Sequence, residues 1–302
     1  MALSVEIRMY LYNVKKKYGI EQLHYYASLF SGSVVQRSLK YNDNTIFFEQ
    51  LQRYDSDLVA QGITYWEYLD YVYQILEKHY CNEYVYKNTL IKKYLVKGYS
   101  LNSSKIFNEF RIGNSIADLA MFNGTSKAFE IKTELDNDNR LASQLNEYAK
   151  LMEESYLVIS ADMVERYLPD INPSVGIIAI CQHGRALTIE KRRDARKNEF
   201  VDIDVLMSSV RCSEYKWMVK SAYGCLPEVS DFEMFDACKD MLSRLSSVKL
   251  QRLFLDAVKS RNNLTRILKS VPRSANLLCL TTDWNEKKFA KLNELYSQPI
   301  KI

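Results

Sequence analysis

Three side chains in the middle of this 302-residue chain have the types and spacing for metal and acid–base chemistry: Asp118, Glu130 and Lys132. Glu130 and Lys132 stand two positions apart, so on a strand both point to the same face. Asp118 can reach that face from a neighbouring strand. It lies in the apolar run Ile116, Ala117, Leu119, Ala120, where a carboxylate costs several kcal/mol (roughly 2–7 for a polar group) unless a cation or hydrogen bonds satisfy it. Two converging carboxylates make a hard-oxygen site suited to Mg²⁺, or to Mn²⁺ in its place, and the Ile131 carbonyl offers a third ligand. Lys132 would orient or help deprotonate a water while the metal polarises a phosphodiester. The chemistry such a site could perform is phosphodiester hydrolysis.

Positioning that trio requires a hairpin followed by a helix. Residues 112–132 contain two short apolar or alternating runs, "IGNSIADLAMFNG" and "SKAFEIKTE", separated by Asn123-Gly124. This dipeptide is a strong hairpin signal, so two antiparallel strands are expected. From Asn139 to Glu153 the period becomes helical, with Leu141, Leu145, Tyr148 and Leu151 or Met152 on one stripe. "SYLVIS" at 155–160 reads as a buried strand, and "GIIAICQHGRALTIEK" at 176–191 as a second hairpin turning at His183-Gly184. Strand, strand, helix and strand in that order describe an α/β unit of about one hundred residues.

The arrangement resembles the PD-(D/E)xK nuclease superfamily over roughly 104–160. Asp118 corresponds to the acidic residue of the first strand, and Glu130-Ile131-Lys132 to the E-x-K signature. Ala117 stands where the name-giving proline would be. By the same resemblance Glu109, placed in a helix ahead of the hairpin, supplies an extra metal carboxylate. Gln144 and Tyr148 fit the Q-x-x-x-Y element of the RecB-like and exonuclease branches, which contacts the substrate strand. Within the superfamily the stretch looks most like a group of uncharacterised bacterial nuclease-like proteins. The resemblance implies a restriction-endonuclease-like core, a mixed sheet flanked by helices, and a Mg²⁺-dependent deoxyribonuclease, endo- or exonucleolytic. It also implies a bacterial setting in a mobile element or a defence system. The catalytic set is then Asp118, Glu130, Lys132, Glu109 and Gln144; the metal set is Asp118, Glu130, Ile131 and Glu109.

Phosphate contacts are expected from Arg111, beside the hairpin, and from Arg192 and Arg193 in the basic run from Arg185 to Lys197. Glu134, Asp136 and Asp138 read as a solvated loop, because more carboxylates at the site would oppose a polyanion. The small net charge of +4 hides an asymmetry: residues 241–302 carry 12 basic and 4 acidic side chains. Outside the α/β core, 101–200, the segments 1–100 and 201–302 read as mostly helical, and they offer a surface for a protein partner. Six cysteines form no C-x-x-C pair and only three histidines are present, which argues against zinc and haem sites and for reduced thiols in the cytoplasm. Glu6 and Arg8 interrupt any signal-peptide core, and no run approaches a membrane span. No glycine-rich phosphate loop followed by Lys-Ser or Lys-Thr occurs. Two other functions fit the same core: a nuclease acting on RNA, and a non-catalytic module binding nucleic acid or protein.

Overall fold

The computed structural model describes residues 18–184, 186–280 and 285–300. The N-terminal residues Glu6 and Arg8, and Arg185 of the basic run, lie outside them. The chain divides into two compact units, one drawn from Met1–Gly98, Gln182–Thr188 and Arg266–Ile302, the other from Tyr99–Cys181 and Ile189–Thr265.

The first unit is helical: α1 (Ile20–Ser28), α2 (Gly32–Tyr41), α3 (Thr45–Tyr54), α4 (Tyr65–His79), α5 (Glu83–Leu90) and, from the far end of the chain, α11 (Glu286–Tyr296). Polar residues break the chain between these helices. Ser31 caps α2, and Asn42 ends it in the left-handed conformation that asparagine tolerates. A reciprocal Thr64–Glu67 capping box starts α4. Ten of the fifteen residues of α4 are buried, so it is the unit's central rod rather than an amphipathic surface helix. Tyr296 of α11 packs its ring against Phe47, Tyr65 and Trp66.

The second unit is a mixed sheet core with helices: β1 (Lys105–Ile112), β2 (Ser115–Phe122), β3 (Ser126–Lys132), α6 (Leu141–Tyr148), β4 (Glu154–Ser160), β5 (Gly176–His183), β6 (Ala186–Arg193), α7 (Ile203–Ser209), α8 (Cys212–Tyr223), α9 (Met234–Ser243) and α10 (Ser247–Lys259). The sheet order is β1-β2-β3-β4-β5-β6. The first three strands form an antiparallel meander and β3, β4 and β5 run parallel. Both expected hairpins form. Gly176 lies opposite Tyr156 in the ladder, with no room for a Cβ against that ring.

One expectation is corrected here. Glu109 was placed in a helix preceding the hairpin; it stands on β1, an additional antiparallel strand. The segment "KIFNEFRI" buries Ile106, Asn108, Phe110 and Ile112 alternately, a two-residue period that a helix cannot present to one face. Among the described residues no helix is long and apolar enough to cross a membrane.

Candidate functional site: a carboxylate network on the sheet

The register explains how the motif residues meet. Asn108 pairs with Leu119 and Phe110 with Ala117, so Glu109 falls opposite Asp118. Leu119 pairs with Phe129, which brings Glu130 to the next position beside Asp118. The three acids therefore lie in a row across β1, β2 and β3. The row is irregular at Glu109, whose φ of 57° takes it out of β geometry. Its side chain is exposed.

Glu130 is only 1% exposed, and both of its oxygens are engaged. Oε2 lies 2.5 Å from the Tyr148 hydroxyl and Oε1 lies 3.0 Å from Lys132 Nζ. Asp118 Oδ2 accepts the Ile131 backbone N–H at 2.7 Å. Helix α6 presses Leu141, Leu145 and Tyr148 into the core, and this i, i+4, i+7 stripe is what sets the tyrosine over Glu130. The same hydroxyl lies 2.9 Å from the Ile116 carbonyl, so its one proton serves two acceptors. Burial pushes the Tyr148 phenol well above its ordinary pKa, and Glu130 and Asp118 push it further. Gln144, one turn earlier, hydrogen-bonds Tyr148 through its side chain, an effect that partly opposes the upward shift. Its Oε1 is buried and finds no donor among the described residues.

A glycine fixes the approach of α6. Gly113, at φ 56°, leaves no space for a Cβ beside the Glu147 carboxylate, and Glu147 accepts the neighbouring Asn114 N–H at 3.2 Å. The Lys150 hydrogen bond, followed by this backbone bond, lowers the Glu147 pKa against the opposing effect of burial.

The expected residues are thus partly gathered. Asp118, Glu130, Ile131, Lys132, Gln144 and Tyr148 converge. Arg111 is exposed on β1, next to the row. Arg192 and Arg193 stand on β6, three strand spacings or about 14 Å from β3. Arg192 pairs with Glu190 at 2.7 Å, and Arg193 donates to the Val175 and Asn172 carbonyls; these arginines are not brought to the carboxylates. The acidic loop behaves as a loop: Asp136 accepts from the N–H and hydroxyl of Thr133, and Asp138 pairs with exposed Arg166.

Other buried ionic contacts were not foreseen. Glu214 holds Arg261 in a two-pronged pair at 2.7 Å for each prong, with the guanidinium over the Phe107 and Phe110 rings. Glu153 takes the Ser126 N–H and Lys197. Their sequence separations are long and no local pattern marks them. The capping position of Glu214, at the third residue of α8, is the one visible signal, because acids favour helix starts.

Chemically, this network can bury negative charge and hold α6 against the sheet. Both Glu130 oxygens and Asp118 Oδ2 are engaged, by a tyrosine, a lysine and a backbone amide.

Comparison with known proteins gives the chain its class. A family model described as Bacteriophage P4 protein cII matches residues 77–276. The chain belongs to that family, which the match covers across both halves of the sheet and the helices that follow it. Protein cII of Enterobacteria phage P4 is 28% identical over 180 residues, covering 57% of this chain and 65% of the relative. The chain thus spans a little under two thirds of that relative's length. A solved structure, the SPO1766 protein of unknown function from Silicibacter pomeroyi, aligns with 49% of this chain and 94% of its own at 11% identity and a TM-score of 0.31. That likeness is too slight to bear on fold.

The family match corrects the expected activity. The motif pointed to a Mg²⁺-dependent deoxyribonuclease, and so to a hydrolase and metal-binding protein; the chain instead belongs with a phage protein cII and not with a hydrolase.

Proposed function

We propose that this chain is a non-catalytic DNA-binding member of the cII family, built on a sheet related in plan to the PD-(D/E)xK nucleases. The observation that carries the proposal is the closed network at Glu130. The carboxylate is 1% exposed and engaged on both oxygens, so the former motif works as internal framework and leaves binding to the surface. Arg111, Arg140 and Arg196 are exposed on the same unit. The Arg192–Glu190 pair is also exposed on both sides. Exposed pairs of this kind contribute about 0–1 kcal/mol, and a phosphate can replace the glutamate at little cost. These cations supply sequence-independent attraction to a phosphate backbone.

The test is fluorescence anisotropy with labelled duplex and single-stranded DNA over a salt series, in Mg²⁺ and in EDTA. The expected result is intact DNA, binding equal in both, and an affinity that falls by about 0.9 logarithmic units per phosphate contact on duplex for each tenfold rise in salt. Arg111→Ala with Arg196→Ala should weaken binding, whereas Glu130→Gln should leave the bound fraction unchanged in the folded protein. Absence of salt-dependent binding to either DNA would overturn the proposal, and binding abolished by EDTA would count against a metal-independent surface.

A further inference from the structure

Strand β5 closes with Cys181 and His183, and β6, its neighbour in the sheet, carries Glu190 and Arg192. Residues two apart on a strand share a face, so the hairpin holds a thiol and an imidazole on one strand and a carboxylate and a guanidinium on the other. The two pairs meet. A ligand atom from each of Cys181, His183 and Glu190 lies within 4.8 Å of the other two. Cys181 is 6% exposed, whereas His183 and Glu190 are exposed, so the sulfur is the fixed donor and the other two are free to turn towards it. Cysteine spacing along the chain argues against zinc; the facing strand supplies the donor that such spacing cannot show.

The group is already wired together. The Cys181 thiol hydrogen-bonds the Glu190 carboxylate and the Arg192 guanidinium, and Arg192 Nη2 lies 2.7 Å from Glu190 Oε2. A thiol proton shared with a carboxylate occupies the place that a cation takes once the sulfur is ionised. Sulfur, imidazole nitrogen and one carboxylate oxygen form a borderline-soft set that suits Zn²⁺, whereas Mg²⁺ takes oxygen. Bond lengths of about 2.0–2.3 Å put neighbouring donors of a tetrahedral zinc site about 3.3–3.6 Å apart. Closure therefore needs shifts on the order of 1 Å, within the reach of two exposed side chains. Thiolate and carboxylate together cancel the charge of the ion, and the second Glu190 oxygen keeps Arg192 as the support that orients it.

We propose that Cys181, His183 and Glu190 bind one Zn²⁺ ion, with water in the fourth position. The thiol gives up its proton to solvent as the Zn–S bond forms. This site is separate from the carboxylate network at Glu130, and its donor set discriminates against the hard cation expected there.

The test is titration of the reduced, untagged full chain with Co²⁺, whose bond to sulfur gives a thiolate-to-metal absorption band, followed by displacement with Zn²⁺ in competition with a chromophoric chelator. One ion should bind per chain, with the band present in the wild type, absent from Cys181→Ser and untouched by excess Mg²⁺. His183→Gln and Glu190→Gln, both at exposed positions, should each weaken Zn²⁺ binding at least about tenfold, the lower end of what losing even a group that supports a ligand costs. Cys212→Ser removes an exposed thiol on α8 and should change nothing. If Cys181→Ser misfolds, the two exposed variants decide. No Co²⁺ band in the wild type, undiminished Zn²⁺ affinity in His183→Gln or Glu190→Gln, or loss of the band in Cys212→Ser would overturn the assignment.

Discussion

The two units bury a carboxylate on tyrosine hydroxyls in different ways. In the helical unit Asp55, 1% exposed, accepts from Tyr26 at 2.6 Å, Tyr71 at 2.9 Å and Tyr68 at 3.0 Å. In the sheet unit Glu130 accepts from one tyrosine and pairs with Lys132. Asp55 draws its three tyrosines from α1 and α4, so a single charge ties two helices together. Glu130 ties one helix to one strand, and its lysine comes from its own strand. Neutral donors spread over the chain make a junction; a cation two residues away makes a local patch. The first should matter more to the fold, because removing its centre strands three donors rather than one donor and a partly exposed lysine.

The largest expected effect follows directly. Asp55→Ala should lower unfolding free energy by about 3–5 kcal/mol, the range for removing one side of a buried charged cluster, read from urea denaturation. Glu130→Ala should cost less, roughly 2–3 kcal/mol. Adding Lys132→Met to it should restore part of the loss, since an unpaired, partly buried cation is then removed. If Glu130→Ala proves the costlier change, the contrast between junction and patch is wrong. Tyr148→Phe should cost about 1.5–3 kcal/mol, the value of a hydrogen bond to a charged group. The three-tyrosine junction predicts no single-hydroxyl loss as large as Asp55→Ala.

Alkaline titration sharpens the same comparison. Tyr26, Tyr68, Tyr71 and Tyr148 all have phenols pushed above their ordinary pKa, chiefly by burial and then by the neighbouring carboxylate. A raised folded pKa means that the unfolded chain loses the proton first. The stability these groups contribute is complete below the unfolded value near pH 10 and declines as pH rises beyond it. Urea midpoints measured from pH 9 to 12 should fall, and more steeply for the wild type than for Tyr26→Phe. The smallest effect concerns Glu109. With φ at 57°, Glu109→Gly should be neutral or stabilise by up to about 1 kcal/mol, because glycine adopts that conformation without strain.

Much of the sheet unit was legible because its signals are local. Asn123-Gly124 announced a hairpin, the stripe Leu141, Leu145, Tyr148 announced a helix, and a two-residue step put Glu130 and Lys132 on one face. The convergence of Asp118, Glu130 and Lys132 follows from those pieces, whereas Gln144 and Tyr148 were tied to the site only by the family resemblance. What the motif could not reveal was whether its oxygens stay open: that depends on Tyr148 reaching Glu130 across the fold and on the Ile131 amide reaching Asp118. β1 was missed because polar Asn108 takes an inward position and apolar Phe107 an outward one, which hides the two-residue period. The Asp55 junction was missed for another reason, since Tyr26, Tyr68 and Tyr71 sit among so many tyrosines that none stands out until they meet. The mixed sheet with helices was recognisable from element order, whereas the hydrolytic function inferred from the motif was not upheld by kinship with cII.

Gly113 carries a consequence for how this protein tolerates change. Scanning substitutions would single out Asp118, Glu130 and Lys132 as suspects by chemistry, yet position 113 has no chemistry and is held by its φ of 56°, with an added methyl also pushing the Glu147 carboxylate aside. The Glu147 carboxylate can swing aside, but the left-handed backbone strain of a side chain at 113 stays. A saturation library selected for folding alone should therefore show a bare glycine as intransigent as the charged residues, a spacer that sets the gauge of the whole assembly by having nothing there.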